Sequence, residues 1–181
     1  ENLVEYPVNE TGYMIGKNLP YAKSHRHFSH LLMHVPLYLV NRENSDSWAL
    51  LEKSIRHWFS YPGDILGFSH VGASLMYGAY QKGNEALAQI QTLLEEHVTQ
   101  NSMYREAGPV IETPLAAAEC IQQLLLQSWG GKIRVFPAMP DDWKDASFIG
   151  FLAQGGFRVS ASYKGGRTEW IEIESLAGEP C

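Results

Sequence analysis

The sequence predicts an α+β fold in which helical hairpins come first and a small antiparallel β region follows. From about residue 43 to residue 129, apolar residues recur at steps of three and four, as they do on one face of a helix. After Gly131 the pattern changes to short alternating segments divided by Gly-Gly or Pro-Asp turns. We therefore expect two regions, a helical one at residues 1–131 and an antiparallel β domain at residues 132–181.

Turn and capping residues divide the first region into separate helices. Asn44, Ser45 or Asp46 is expected to cap the first helix. Thr113 as N-cap and Pro114 at the first helical position are expected to open the last one. The predicted helices span residues 43–61, 68–82, 85–98 and 113–129.

The segment before these helices is less regular. Residues 1–24 are polar and contain Gly and Pro, which predicts an irregular lead-in. Residues 28–42 are strongly apolar, but Pro36 should kink or stop any helix there because it lacks the amide hydrogen and clashes with the preceding turn.

Alternating segments make up the second region. In the last of them Ile171 and Ile173 alternate with Glu172 and Glu174, which predicts a strand with one solvated face. Because three or four strands rarely form a stable sandwich, we expect the β layer to be incomplete or to pack on the helices. The segments are KIRVFP, FIGFLAQ, FRVSASYK and RTEWIEIESL.

Composition and charge argue against several classes of partner. The 181 residues carry a net charge of −6, whereas nucleic-acid binding needs a basic face. No apolar run approaches the roughly 20 residues that cross a bilayer, so we expect no membrane partner. Cys120 and Cys181 form neither a disulfide framework nor a zinc pattern, and Cys120 is expected to be a buried thiol.

A cluster of histidines occurs at residues 23–34, KSHRHFSHLLMH. His30 and His34 have the i, i+4 spacing of helical zinc ligands, but Leu31 stands where such a motif has its Glu. No nearby Asp or Glu supplies a third ligand, so we expect no metal, and we interpret His34 as a core histidine.

Several motifs resemble glycoside hydrolase family 95, the inverting α-L-fucosidases. HRHFSHL resembles the family's HRHLSHL signature, and the others resemble its LLQS-G-I-LLPALP-W, GLRARGGF-V-W-G and WS-A segments. They occur in the family's order across about residues 25–166. The matching stretches are HRHFSHL (25–31), FSHVGAS (68–74), LLLQSWGGKIRVFPAMPDDW (124–143) and GFLAQGGFRVSASYKGG (150–166).

The resemblance implies the last helices of an (α/α)6 toroid, followed by the beginning of an all-β domain. It implies a secreted or periplasmic enzyme that acts on a glycan and uses no cofactor. The family's general-acid Glu and its water-positioning Asn pair have no counterpart here. We therefore expect the 181 residues alone to be inactive and to need the upstream part of the polypeptide, or a partner chain.

Three site residues follow from matching positions in the family. Arg26 and His27 match the Arg-His that contacts the sugar, and such side chains are good donors to hydroxyl groups. Glu112 falls where QIDGNFG has the Asp that helps to activate the attacking water. A helix N-terminus favours the ionised form that a base requires. Tyr104, in the loop before Glu112, is predicted to stack on a sugar, since loops over a toroid mouth often build subsites.

Departures from the family pattern leave alternatives open. In PVIETPLA (109–116), Glu replaces Asp, and an extra methylene can misplace the carboxylate by about 1 Å, which can cost about 10²-fold in rate. Fucose or a related sugar such as L-galactose therefore stays open. A non-catalytic carbohydrate-binding or accessory module on the same scaffold is the main alternative, and a lyase or phosphorylase with a similar toroid is a third.

Overall fold

The computed structural model describes residues 5–108 and 110–181, and within them helices come first and antiparallel strands follow. Two short helical turns, Ser29–Leu31 and Pro62–Asp64, accompany the longer helices. None of the helices in these two ranges is long and apolar enough to cross a membrane. The longer helices are α1 Trp48–Phe59, α2 Gly67–Ala79, α3 Gly83–Glu96 and α4 Glu112–Leu125.

Three small antiparallel sheets contain the strands. β1 pairs with β2, β3 pairs with β4, and β5, β6 and β7 form a meander in that order. The predicted α+β class is therefore confirmed, whereas the toroid stays a prediction. The strands are β1 Val8–Asn9, β2 Gly12–Tyr13, β3 Leu126–Trp129, β4 Lys132–Val135, β5 Ala146–Ala153, β6 Phe157–Lys164 and β7 Arg167–Ser175.

Helix α2 lies at the centre of the helical region because it is rich in small residues. Ten of its thirteen residues are buried, among them three glycines, two alanines and two serines. One side of α2 packs in a cluster with α1 and the segment 28–35, which includes Leu31, Leu51 and Trp58. The other side packs in a second cluster with α3 and α4, which includes Leu93, Leu124 and the predicted buried thiol of Cys120.

The predicted helix positions hold, and the apolar stretch 28–42, which contains Pro36, forms only one short helical turn and further turns, as expected. Two details are corrected. Ser47 is the N-cap of α1, so none of the three residues predicted for that position caps it. The last helix ends at Leu125 instead of residue 129, because Leu126–Trp129 form strand β3 and pair with β4.

The predicted lead-in contains a short hairpin. Its strands β1 and β2 are tied to α1 by a hydrogen bond from the Tyr13 amide to Ser54 Oγ (2.9 Å). The first four residues of the predicted lead-in lie outside the described residues.

Gly-Gly pairs form the turns of the β region, as predicted. Gly130 and Gly131, and likewise Gly165 and Gly166, have φ between 58° and 80°. Two successive residues with positive φ make the two-residue hairpin turn whose twist matches that of the strands. The alternation of Ile and Glu predicts that one face of β7 is solvated and the other buried. The solvated face is observed, but the other face is exposed as well, because β7 is exposed along its whole length. Ile171 and Ile173 lie opposite the buried Ala161 and Val159 but are themselves 47 % and 40 % exposed.

The first residue of α3 should be intolerant of a side chain. A Cβ on Gly83 would lie 2.7 Å from the Met139 carbonyl carbon, and backbone atoms cannot move aside cheaply. We expect Gly83→Ala to lower the free energy of unfolding by about 1–3 kcal/mol, measured by urea denaturation. Gly78→Ala is the matched control, since a Cβ there meets nothing within 4 Å. It should leave stability unchanged or raise it by about 0.5–1 kcal/mol. Equal effects of the two substitutions would contradict this packing.

Candidate functional site

The HRHF segment (25–28) is held by donors from two helices. Trp58 Nε1 on α1 donates to the His25 carbonyl (2.8 Å), and Ser69 Oγ on α2 donates to the Arg26 carbonyl (3.0 Å). The Phe28 side chain is buried against α2, where a Cβ on Gly72 would overlap its ring. Because the backbone is fixed at both of these carbonyls, the half-buried side chains of Arg26 and His27 stand at a defined place beside the start of α2.

His27 lies within electrostatic reach of two carboxylates. Its pKa is lowered, first by burial and then by the neighbouring charges of Arg26 and His25. The carboxylates of Glu112 and Glu106 act in the opposite direction on the same ring. Arg26 and His27 thus lie beside the start of α2, and the Glu112 carboxylate acts electrostatically on the His27 ring.

Glu112 is the first residue of α4 and is exposed. The N-cap of this helix is Ile111, so the predicted capping role of Thr113 is wrong. The Thr113 side chain is fully buried, and its hydroxyl donates to Glu106 Oε1 (2.9 Å) instead. The position of Glu112 is thus set by the buried residue that follows it.

Glu106 is the residue of this region that sequence reasoning underrated. Besides the Thr113 hydroxyl, its Oε1 accepts the Phe68 amide hydrogen in the first turn of α2 (2.7 Å). A negative charge at a helix N-terminus is favoured by the helix dipole. Its Oε2 is buried without a hydrogen-bond partner among the described residues. In the sequence, Glu106 is only a loop residue before the last helix. Its two partners, the Phe68 amide and the Thr113 hydroxyl, come close to it only when the chain folds.

Tyr104 has a different environment from the one predicted. Its backbone forms an isolated bridge with Val98, and its half-buried ring packs against the cluster formed by α2, α3 and α4. The ring therefore takes part in closing the loop over the helices. A sugar contact by Tyr104 stays a prediction.

A cavity of about 440 Å³ lies beside the HRHF segment. Its polar lining comes from residues such as His25, His27 and Asp64, and its apolar lining from Ile15 and Leu19. The volume falls within the ~300–1,000 Å³ range of small-molecule sites. Arg26, Tyr104 and Glu112 are not among its lining residues, so His27 alone of the predicted site residues reaches this cavity.

The remaining histidines of the cluster are packed in the core. The ring of His30 stacks on Tyr21 with centroids 4.6 Å apart. His34 is 1 % exposed, and its Nδ1 is hydrogen-bonded to the Tyr80 hydroxyl (3.0 Å). Within residues 5–108 and 110–181, no group of three His, Cys, Asp or Glu side chains could hold a metal ion.

Comparison with known proteins concerns the β strands. Residues 127–181 match the family model described as glycoside hydrolase family 95, C-terminal domain. The match supports membership of that family. It covers most of β3 and all of β4 to β7, with the turns between them. The comparison with curated proteins finds no match.

Removing the Glu106 carboxylate should destabilise the helix junction. Glu106→Ala would leave the Phe68 amide and the Thr113 hydroxyl without their acceptor. We expect the free energy of unfolding to fall by about 1–3 kcal/mol, the usual cost of an unpaired buried polar group. Glu95→Ala, at an exposed position of α3, is the control and should change it by less than about 0.5 kcal/mol. The junction would not depend on Glu106 if the two variants unfolded alike.

Burial of His34 should make stability depend on pH. Burial lowers its pKa from 6.5 to about 4, so the unfolded chain binds its proton first as the pH falls. The contribution of the neutral, buried His34 to the free energy of unfolding is complete above about pH 6.5 and is lost as the pH falls towards 4. His34→Gln cannot titrate, so its stability deficit relative to wild type should shrink by up to about 3 kcal/mol between pH 7 and pH 4. Unfolding curves recorded across this range test the prediction, and a deficit that does not vary with pH would refute it.

Proposed function

We propose that this chain is part of a glycoside hydrolase that removes terminal α-L-fucosyl residues or related L-sugars, such as α-L-galactosyl, by inversion. The match of residues 127–181 supports a glycoside hydrolase of family 95. The observation that carries the finer proposal is that Glu112 and His27, 85 positions apart, lie within electrostatic reach of each other. Those are the two positions at which the family resemblance expects the water-activating carboxylate and a sugar contact.

Glu112 is suited to activate a water. In an inverting enzyme one carboxylic acid protonates the leaving oxygen, and a carboxylate about 6.5–9.5 Å away activates a water on the opposite face of the sugar. Glu112 is exposed to solvent and lies in the first turn of α4. An exposed carboxylate can accept the proton of an attacking water.

Arg26 and His27 are suited to bind the sugar. The guanidinium of Arg26 presents fixed, forked donors to hydroxyl oxygens. The lowered pKa of His27 keeps the imidazole neutral at pH 7, so one ring nitrogen donates and the other accepts. Sugar hydroxyls need both kinds of partner, which a charged imidazolium would not offer.

The rest of the catalytic apparatus is proposed to lie outside these 181 residues. The general acid would come from the upstream part of the same polypeptide or from a partner chain, so we propose that the 181 residues alone have no activity. A glycan substrate and a secreted or periplasmic location belong to the same proposal. A sugar contact by Tyr104, whose ring packs on the helices, is also part of this proposal.

Substitution of Glu112 tests the proposal directly. In the gene product that contains this chain, Glu112→Gln keeps the shape of the side chain but removes the base. We expect kcat on aryl α-L-fucosides or aryl α-L-galactosides to fall by about 10²–10⁴-fold. Glu95→Gln, on the exposed surface of α3, is the matched control and should retain the wild-type rate.

Two further outcomes would overturn the proposal. Absence of turnover in the wild-type gene product on both sugars would favour the non-catalytic carbohydrate-binding module instead. Turnover with retained anomeric configuration, observed by NMR immediately after mixing, would exclude inversion. Wild-type turnover that persists in Glu112→Gln would assign the base to another residue.

A further inference from the structure

A second cleft lies where the last turns of α4 meet the β region. It has a volume of about 540 Å³, within the ~300–1,000 Å³ range of small-molecule sites. Glu119 and Gln122 line it from α4, Ser128 from β3, and Phe151 from β5. Gln122 is ten residues along α4 from Glu112, which corresponds to about 15 Å at 1.5 Å per residue. The cleft is therefore separate from the site near His27.

Aromatic rings form one part of the cleft. Tyr38 and Trp129 stack face to face, with ring centroids 5.0 Å apart and ring planes inclined by only 6°. The Arg134 guanidinium lies over the Trp129 ring, 3.6 Å from its centroid, and Trp129 is buried. Tyr38 is half-buried with φ of 50°, a strained conformation for a residue with a side chain, so this stack positions its ring at a conformational cost. Phe151 is likewise half-buried and lines the same cleft.

Three glutamine amides and one carboxylate supply most of the polar lining. Gln122 and Gln154 are exposed. Gln123 donates to Glu119 Oε1 (2.6 Å), which holds that carboxylate in place. Each amide offers both a donor and an acceptor, whereas the carboxylate only accepts.

The charges of the cleft select the class of ligand. No Lys or Arg is among its lining residues, and the nearby Arg134 is already paired with Glu43 through its Nε (3.1 Å). An anionic ligand would therefore be unneutralised and would face Glu119. A purely apolar ligand would leave the carboxylate and the amides without partners, at a cost of about 1–3 kcal/mol for each buried group.

We propose that this cleft binds an uncharged oligosaccharide. Sugar rings present apolar C–H faces, which can pack on the half-buried rings of Tyr38 and Phe151, and hydroxyl groups, which pair with amides and carboxylates. The site holds glycan without reacting with it, because its single carboxylate has no second carboxyl group within the lining to complete a hydrolytic pair. The inference does not depend on where hydrolysis takes place.

Binding measurements on the gene product test this proposal independently of turnover. The probes are lactose, cellotriose and maltotriose as uncharged sugars and trigalacturonate as the anionic comparison. Glu112→Gln serves as the background to suppress hydrolysis, and methyl α-L-fucoside and methyl α-L-galactoside are added in excess to occupy the proposed catalytic site. We expect at least one uncharged probe to bind with a Kd of about 0.1–10 mM, measured by calorimetry and by saturation-transfer NMR.

Two exposed glutamines supply the decisive variant. Gln122→Ala combined with Gln154→Ala should weaken that binding about tenfold or more, because two amides lose their hydrogen bonds to the ligand. Gln91→Ala, at an exposed position of α3 outside the cleft, is the matched control and should bind as before. The proposal fails if no uncharged probe binds, if trigalacturonate binds more tightly, or if the double variant binds as well as the control. The double variant in an otherwise wild-type background should hydrolyse aryl glycosides at the wild-type rate. The proposal for the cleft and the proposal for Glu112 can therefore fail independently of each other.

Discussion

The geometry of the helical region depends on one carboxylate oxygen shared between two helices. Oε1 of Glu106 accepts a backbone amide at the start of α2 and the Thr113 hydroxyl at the start of α4. These contacts fix where the chain around Glu106 packs against the helices. They also determine where Glu112 stands, because it is covalently joined to the buried Thr113. Arg26 and His27 are tied to the same helix end through Ser69, so the candidate site is built around the beginning of α2.

Neighbouring segments approach α2 closely because many of its buried positions are glycine, alanine or serine. A Cβ on Gly67 would lie 2.8 Å from Glu106 Oε1 and 2.8 Å from Leu93 Cδ1, and one on Gly72 would overlap Phe28. Both glycines have ordinary helical backbone conformations. They are therefore explained by the lack of room for a side chain and not by a need for positive φ. Glycine in a helix costs about 0.5–1 kcal/mol relative to alanine. Here that cost is offset by the packing of Phe28 and by the hydrogen bonds of Glu106.

Local sequence patterns predicted the elements but not the contacts between them. The apolar steps of three and four located α1 to α4, and the Gly-Gly pairs located the hairpin turns. The end of α4 was misplaced because LLLQSW is continuously apolar at its start, a pattern that fits a buried helix and a buried strand equally well. Pairing with β4 decides in favour of the strand. The role of Glu106 could not be predicted, since Phe68 is 38 residues away and no spacing rule links them.

Strand β7 is the outer strand of the three-stranded meander in the described residues, and its side chains bear on how two such strands could pair. A free strand edge is a template for pairing with another chain, and long apolar edges favour aggregation. This strand carries Glu169, Glu172 and Glu174, and only Glu174 has an ion-pair partner within the described residues, Arg158. Antiparallel alignment of two such edges would bring carboxylates close to one another, which is unfavourable. The acidic side chains of β7 therefore disfavour the pairing of two copies of this strand.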